Sequence, residues 1–202
     1  MKKTIRKNIE LGVLFGLVCA IALSFSCFEA RCDELRNGVL RLHIIANSNC
    51  GYDQAIKLDV RDNIIEFIDE KGFESKSDVS KSIVEIEGKI REYLKVNNVG
   101  YDCRVFVGKS EFPTKEYNNI SIPCGEYECV KVILGEGFGE NWWCIAYPPL
   151  CFTESVTGDI SEDGDERLKE YISNNSYNII KGQRPEFKIK FKVVEVINSI
   201  FK

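Results

Sequence analysis

The sequence predicts a single α+β domain in which two amphipathic helices cover one face of a largely antiparallel sheet. An N-terminal hydrophobic helix, acting as a signal or an anchor, precedes this domain. Three observations predict it: an uncharged run near the N-terminus, two stretches with helical periodicity, and several short stretches of alternating apolar and polar residues. We assign residues 1–26 to the signal peptide or membrane anchor, 27–37 to a linker and 38–202 to the domain.

The N-terminal segment has the layout of an export signal. Four basic residues precede Leu11–Phe25, which carries no charge. Fifteen helical residues span about 22 Å, which is less than the ~30 Å hydrocarbon core of a bilayer. A basic start, a short apolar stretch and small residues at Ser24 and Ser26 are typical of a secretory signal peptide. We expect cleavage after Ser26, and an uncleaved anchor is the alternative.

The rest of the chain predicts elements in the order β-α-α-β-β-β-α-β. Its helices are expected at 53–71, 78–96 and 166–173, and its strands at 39–46, 100–107, 126–134, 142–147 and 187–193. Asp53 stands where the first helix should be capped, and Gly72 should end it. Residues 109–125 are expected to form a long connection and 174–184 a loop. Helices segregated to one face of an antiparallel sheet make an α+β fold.

The composition excludes several functional classes. The 202 residues carry a net charge of −4, and removing the basic N-terminus would make it more negative. We therefore expect no nucleic-acid partner, and membrane contact only through the N-terminal segment. The chain has nine cysteines but one histidine, His43, and no cysteine spacing typical of a zinc site. We predict no catalytic residues, no metal, no cofactor and no small-molecule substrate.

Two short features between residues 142 and 152 stand out. Cys144 and Cys151 flank a turn that Pro148 and Pro149 impose, so they form either a disulfide or a pair of buried thiols. Trp142 and Trp143 are adjacent, and neighbours on a strand point to opposite faces. One ring should enter the core and the other should meet solvent or a partner, unless both serve in packing.

Three strings resemble the stage II sporulation protein R family. They are Arg41-Leu42-His43-Ile44-Ile45-Ala46-Asn47-Ser48 with the following Asp53-Gln54-x-x-Lys57-Leu58-x-Val60-Arg61-Asp62, then Phe112-Pro113-Thr114-Lys115-x-Tyr117, and then Gly135-x-Gly-x-Gly-x-Asn141-Trp142-Trp143-Cys144-x-x-x-Pro148-Pro149-Leu150-Cys151-Phe152. The resemblance covers about residues 38–152. Cys144 and Cys151 stand at family positions, whereas Cys50 and Cys124 replace the residues usual there and take over no role.

The resemblance implies an exported signalling protein of endospore-forming bacteria, made in the forespore and active in the septal space between forespore and mother cell. It would activate a membrane-embedded aspartic protease, stage II sporulation protein GA, which processes the early mother-cell sigma factor precursor. The implied protein is a ligand and not an enzyme. Our candidates for partner contact, or for shaping that surface, are Asn47, Ser48, Asn141, Trp142, Trp143, Pro148, Pro149 and Phe152.

Two other interpretations stay open. An exported thiol-dependent hydrolase of peptide or cell-wall substrate would pair His43 with Cys144 or Cys50. A structural protein of the cell envelope would need no partner protease.

Overall fold

The computed structural model describes residues 2–117, 120–148, 166, 169–170, 172–181, 193 and 196. The chain begins with a 37-residue helix, α1 (Lys2–Gly38). Large apolar side chains between Leu11 and Leu23 are exposed along it. By length and composition this helix is apolar enough to cross a membrane, and a signal sequence meets the same criterion.

The last turns of α1 belong to the domain. Phe28, Cys32 and Leu35 follow helical spacing and are buried, and Arg36 Nη2 donates a hydrogen bond to the carbonyl oxygen of Cys124 at 2.9 Å. The predicted linker over 27–37 is therefore helix packed on the domain. The segment is polar in composition, but its few apolar residues lie on one side of the helix and form a narrow apolar stripe.

Four strands form a mixed sheet in the order β2–β5–β1–β6. Their bounds are β1 (Leu40–Ile45), β2 (Cys103–Phe112), β5 (Gly125–Leu134) and β6 (Asn141–Tyr147). β1 pairs parallel with β5, whereas β2 pairs with β5 and β6 pairs with β1 in antiparallel register. A separate hairpin joins β3 (Lys115–Tyr117) to β4 (Ile120–Ile122). The predicted α+β class with a largely antiparallel sheet is confirmed.

Helices α2 (Gly51–Lys71), α3 (Lys76–Lys81) and α4 (Ile83–Val96) cover one face of the sheet, which we call the helical face. Its core is aliphatic and joins β1 and β5 to α2 and α4 through Leu42, Ile44, Val130, Val132, Val60, Ile64, Ile86 and Ile90. Cys50 caps α2 because its Sγ accepts the Asp53 backbone N–H at 3.4 Å. Gly72 ends α2 in the left-handed conformation, with φ 57°.

On the other side of the sheet, the opposite face, the described residues cover mainly the half next to the end of α1. Leu35 and Val39 from the end of α1, Ile120 and Ile122 from β4, and helix α5 (Asn174–Ile180) pack there around Tyr127. Arg41 is fully buried among them. Its Nε donates to the Cys144 carbonyl oxygen at 2.8 Å, and its guanidinium lies 4.4 Å from the centre of the Phe112 ring.

Several local expectations differ from the structure. The second helix is two helices, because Ser75 caps α3 and the helix is interrupted at Ser82. The expected connection over 109–125 contains the end of β2 and the β3–β4 hairpin, and part of the expected loop over 174–184 is helix α5. The first helix is capped by Cys50 and not by Asp53. The strand expected at 187–193 lies outside the described residues, except for Val193.

Candidate partner-contact site

Two turns meet at one end of the sheet, where β1 ends and β6 begins. The first is Ala46–Cys50 and the second is Gly135–Glu140; we call them the turn pair. The Asn47 carbonyl oxygen accepts the Phe138 N–H at 3.0 Å, and the Asn47 Oδ1 accepts the Glu136 N–H at 3.0 Å. The Asn49 Oδ1 accepts the Glu140 N–H at 2.7 Å. Two strings far apart in sequence therefore form one hydrogen-bonded unit.

The glycines of the second turn make this approach possible. Gly135 has φ 54°, and a Cβ built there would lie 2.2 Å from the Asn47 Oδ1. A Cβ at Gly139 would lie 2.3 Å from the Ser48 carbonyl oxygen. Gly135 and Gly139 of the Gly-x-Gly-x-Gly string thus allow close contact with the first turn.

The buried Asp53 side chain fixes the first turn through hydrogen bonds. Its side chain is 4% exposed, and its Oδ2 accepts hydrogen bonds from Asn47 Nδ2 at 2.8 Å and Ser48 Oγ at 2.6 Å. Its Oδ1 accepts one from the Tyr101 hydroxyl at 2.9 Å. Burial favours the neutral acid, but these hydrogen bonds outweigh it and hold the pKa of Asp53 below its ordinary value.

The rest of the Asp53 string reinforces the same turn. Gln54 Nε2 donates to the Ser48 carbonyl oxygen at 2.9 Å. The Lys57 ammonium donates to Gln54 Oε1 at 2.6 Å and to the Glu140 carbonyl oxygen at 3.3 Å, which ties both turns to α2. Asn47 and Ser48, predicted as contact candidates, therefore point their side chains inward and shape the surface. Sequence reasoning missed Tyr101 because no local pattern links it to Asp53, 48 residues away.

The adjacent tryptophans divide between the two faces, as strand geometry predicts. Trp142 packs against the core of the helical face, where the Arg61 guanidinium lies 4.6 Å from its ring centre. Trp143 lies on the opposite face and stacks on His43, with ring centres 5.9 Å apart. The Lys115 ammonium lies 5.1 Å from the Trp143 ring centre. Both tryptophans are half-buried, so each has a packing role and Trp143 keeps an accessible edge.

His43 is held as a neutral ring. It is 7% exposed, and its Nε2 lies 2.7 Å from the Asn141 Oδ1. Desolvation and the nearby Lys131 charge lower its pKa, against the opposing effect of the Asn141 hydrogen bond. This hydrogen bond brings two predicted strings together, and it accounts for Asn141 as a positioning residue.

The hydrolase interpretation fails for Cys144. Cys144 lies opposite Leu42 in the β1–β6 register and its side chain belongs to the core of the helical face. His43 points to the opposite face, so the sheet separates the two groups. Cys50 is exposed at the start of α2, where its Sγ caps the helix. Among the described residues, no group of three His, Cys, Asp or Glu side chains could hold a metal ion.

Of the two cysteines predicted to form either a disulfide or a pair of buried thiols, Cys144 lies among the described residues. Cys144 is disulfide-bonded and buried. Cys151, its predicted partner, lies outside the described residues, as do Pro149 and Phe152, so the pairing and these contact candidates stay predictions. Pro148 follows Tyr147, whose hydroxyl donates a hydrogen bond to the Glu74 carbonyl oxygen and ties the end of β6 to the segment before α3.

Comparison with known proteins identifies the class to which this fold and site belong. The family model of stage II sporulation protein R matches residues 36–157, a range that includes both turns, His43 and the tryptophan pair. The chain is 32% identical to stage II sporulation protein R of Bacillus subtilis (strain 168), over 80% of this chain and 81% of that protein. No solved structure matches significantly. The chain belongs to the stage II sporulation protein R family and is a sporulation signalling protein.

Proposed function

We propose that this protein is exported and activates a membrane-embedded aspartic protease similar to stage II sporulation protein GA. That protease would then process the precursor of the early mother-cell sigma factor. The protein acts as a ligand and carries out no catalysis itself. Family membership over residues 36–157 is the observation that carries this proposal. The matched range includes the turn pair and the residues that are hydrogen-bonded to it.

The N-terminal helix supports an exported location. Its apolar residues from Leu11 to Leu23 are exposed, and its basic residues stand before them. This arrangement leaves the domain on the far side of the membrane, either anchored by the helix or released by cleavage after Ser26. In a sporulating cell that location is the septal space between forespore and mother cell. Residues 27–38 remain part of the signalling domain in both cases, since Phe28 and Leu35 are buried in it.

The contact site consists of Asn141, Trp143, Pro149 and Phe152. The segment that carries it is shaped by Asn47, Ser48, Trp142 and Pro148, which is buried. A disulfide between Cys144 and Cys151 would close the loop that carries the two prolines. Trp143 is the strongest contact candidate of the described residues, since its ring is aromatic, half-buried and prepositioned by His43 and Lys115. Trp142 faces α2 and offers the matched structural control.

The test is sigma-factor processing by membranes that carry the protease. Purified full chain is added in detergent micelles, and conversion of the precursor is followed by immunoblot. Wild-type protein should cause processing, and Trp143→Ala should reduce it about tenfold or more, as expected for loss of an aromatic hot spot. Cys50→Ser tests the remaining hydrolase alternative in the same assay, because it removes the thiol but keeps a side chain that can cap α2. Loss of processing would favour the hydrolase, and unchanged processing would contradict it.

Absence of processing with wild-type protein, under conditions in which the Bacillus subtilis relative is active, would contradict the ligand function. Equal processing by wild-type and Trp143→Ala protein would remove Trp143 from the site and leave the function in place. Normal processing in cells that lack the gene would instead favour a structural envelope protein.

A further inference from the structure

Next to the turn pair, the described residues leave part of the opposite face exposed to solvent. Strand register places its side chains in two rows that cross all four strands. We call these two rows the open surface. They are Phe106-Lys131-His43-Trp143, in which His43 itself is buried, and Arg104-Ile133-Ile45-Asn141. The next row inward, in which Arg41 and Cys129 stand side by side, is buried under the end of α1 and its neighbours.

The open surface exposes apolar side chains in a contiguous group. Phe106 is 44% exposed, and Ile45, Ile133 and Trp143 are half-buried. Gly137 lies over the two isoleucines: a Cβ built there would lie 2.7 Å from the Ile133 Cγ2 and 3.8 Å from the Ile45 Cγ2. A cluster of this kind at the end of a sheet is typical of an interaction surface, whereas isolated exposed apolar residues are not.

The charge of the open surface is positive although the chain as a whole is negative. Arg104 is exposed and Lys131 half-buried, and neither forms a salt bridge with an acidic side chain in the part of the chain that the structure describes. Other basic residues of the same sheet region do pair: Lys109 lies 2.9 Å from Glu126. Lys115 adds a third positive charge at the Trp143 end. A partner that brings carboxylates would neutralise this local excess.

The open surface lies at the end of the sheet that points away from α1, and so away from the membrane that α1 would occupy. Strand β5 begins at Gly125, against Arg36 of α1, and reaches the open surface at Lys131 and Ile133. Ile133 lies eight residue steps along the strand from Gly125, which is roughly 27 Å. β1 continues from α1 and runs parallel to β5, so the chain leads away from the helix towards the open surface. This distance argues against the lipid around α1 as the occupant and favours a protein partner.

We propose that the open surface binds a segment of a partner protein in which acidic residues stand beside large apolar ones. Carboxylates of that segment pair with Lys131 and Arg104, and its apolar side chains cover Phe106 and Ile133. This surface is separate from the predicted contact list except at Asn141 and Trp143, which both share. The proposal rests on the proposed function only for the identity of the partner.

The experiment places a photo-crosslinking amino acid at Phe106 in the full chain. The chain is expressed in sporulating Bacillus subtilis that lacks its own stage II sporulation protein R, and cross-linked peptides are identified by mass spectrometry. Val96 on α4, which is 72% exposed, is the matched control position. The position-106 adduct is expected to map to an Asp- or Glu-containing apolar segment of another protein, and position 96 should not label that segment.

Charge reversal then tests the chemistry. The double variant Lys131→Glu with Arg104→Glu should reduce the position-106 adduct about tenfold, and Lys95→Glu on α4 should leave it unchanged. Reversing the acidic residues of the mapped segment to lysine should restore the adduct. Lys131 and Arg104 lie outside the core, so unchanged circular dichroism should accompany the loss of adduct.

The proposal would be overturned by no adduct at position 106, by an adduct unaffected by charge reversal, or by an adduct to lipid. An adduct to the chain's own acidic stretch at 159–166, or to a second copy of this chain, would overturn it as well. An adduct to an acidic segment of a protein other than the protease would support the open surface and contradict the partner in the proposed function. Processing of the sigma factor at the wild-type level, with no adduct at position 106, would support the proposed function and contradict the open surface.

Discussion

The two faces of the sheet are built from the same strands but bury different chemistry. On β1, Leu42 and Ile44 point into the aliphatic core of the helical face, whereas Arg41 and His43 point to the opposite face. Three helices pack on the first face, whereas the described residues that pack on the second lie mainly near the end of α1. The alternation of strand residues therefore separates a side that stabilises the fold from a side that presents polar and aromatic groups.

Burying polar groups on the opposite face requires specific partners. Arg41 has a carbonyl acceptor and two aromatic rings around its guanidinium, and His43 has the Asn141 side chain and two rings. An unpartnered buried charge would cost several kcal/mol, so these contacts offset a penalty that the helical face never incurs. Substitutions on the two faces should consequently have different effects on stability.

The largest effect should come from the helical face. Leu42→Ala leaves a cavity in a fully buried site and should lower the free energy of unfolding by about 2–5 kcal/mol. Ile45→Ala, on the same strand but half-buried on the opposite face, should cost less than about 1.5 kcal/mol. Denaturant titration of the full chain in detergent micelles measures both. Equal losses would contradict the division between the faces.

The turn pair, which joins the two faces, should tolerate no side chain at its glycines. Gly139→Ala forces the Ser48 backbone to move and should destabilise the chain by about 1–3 kcal/mol. Gly88→Ala is the control, because it lies in α4 with nothing within 4 Å of the added Cβ. It should stabilise the chain by about 0.5–1 kcal/mol. Thermal unfolding of both variants should show shifts of opposite sign.

Asp53 tests whether the turn pair depends on one buried carboxylate. Asp53→Asn keeps the size of the side chain but turns an amide N–H₂ towards donors, and should cost about 1–3 kcal/mol. The pKa of Asp53 is lower in the folded protein than in the unfolded chain. Its carboxylate therefore stabilises the fold fully above the unfolded pKa, and this stabilisation is lost as the pH falls through the folded pKa. The stability of wild-type protein should thus decline below about pH 4 more steeply than that of the variant.

The smallest effect should be a pH dependence from His43. Its folded pKa is lowered, so the unfolded chain binds the extra proton first as the pH falls below about 6.5. Stability should decrease with falling pH until the folded pKa is reached, by at most about 1.4 kcal/mol per pH unit. His43→Gln should flatten this part of the profile between pH 7 and 5. An unchanged profile would show that His43 titrates alike in both states.

Local sequence patterns were sufficient for some elements and insufficient for others. The strand expected at 126–134 matches β5 to within one residue, and Gly72 ends α2 as expected. The β3–β4 hairpin was missed because strands of three residues carry too little periodicity. The end of α1 was predicted as a linker because only three apolar residues there are buried, and their charged neighbours make the segment polar in composition. Of the contact candidates, Asn47 and Ser48 are half-buried and donate their side-chain hydrogen bonds to Asp53, a contact that spacing alone did not indicate.

The sequence by itself determined the α+β class, the apolar N-terminal helix, the division of Trp142 and Trp143 between faces, and the strings that define the family. Each of these depends on residue type and short-range spacing. Only the tertiary structure decided that the turns at 46–50 and 135–140 interlock around Asp53, that β1 pairs parallel with β5, and that Phe106 and Lys131 share a row with His43. These features depend on strand order and register between segments far apart in the chain, which local periodicity does not encode.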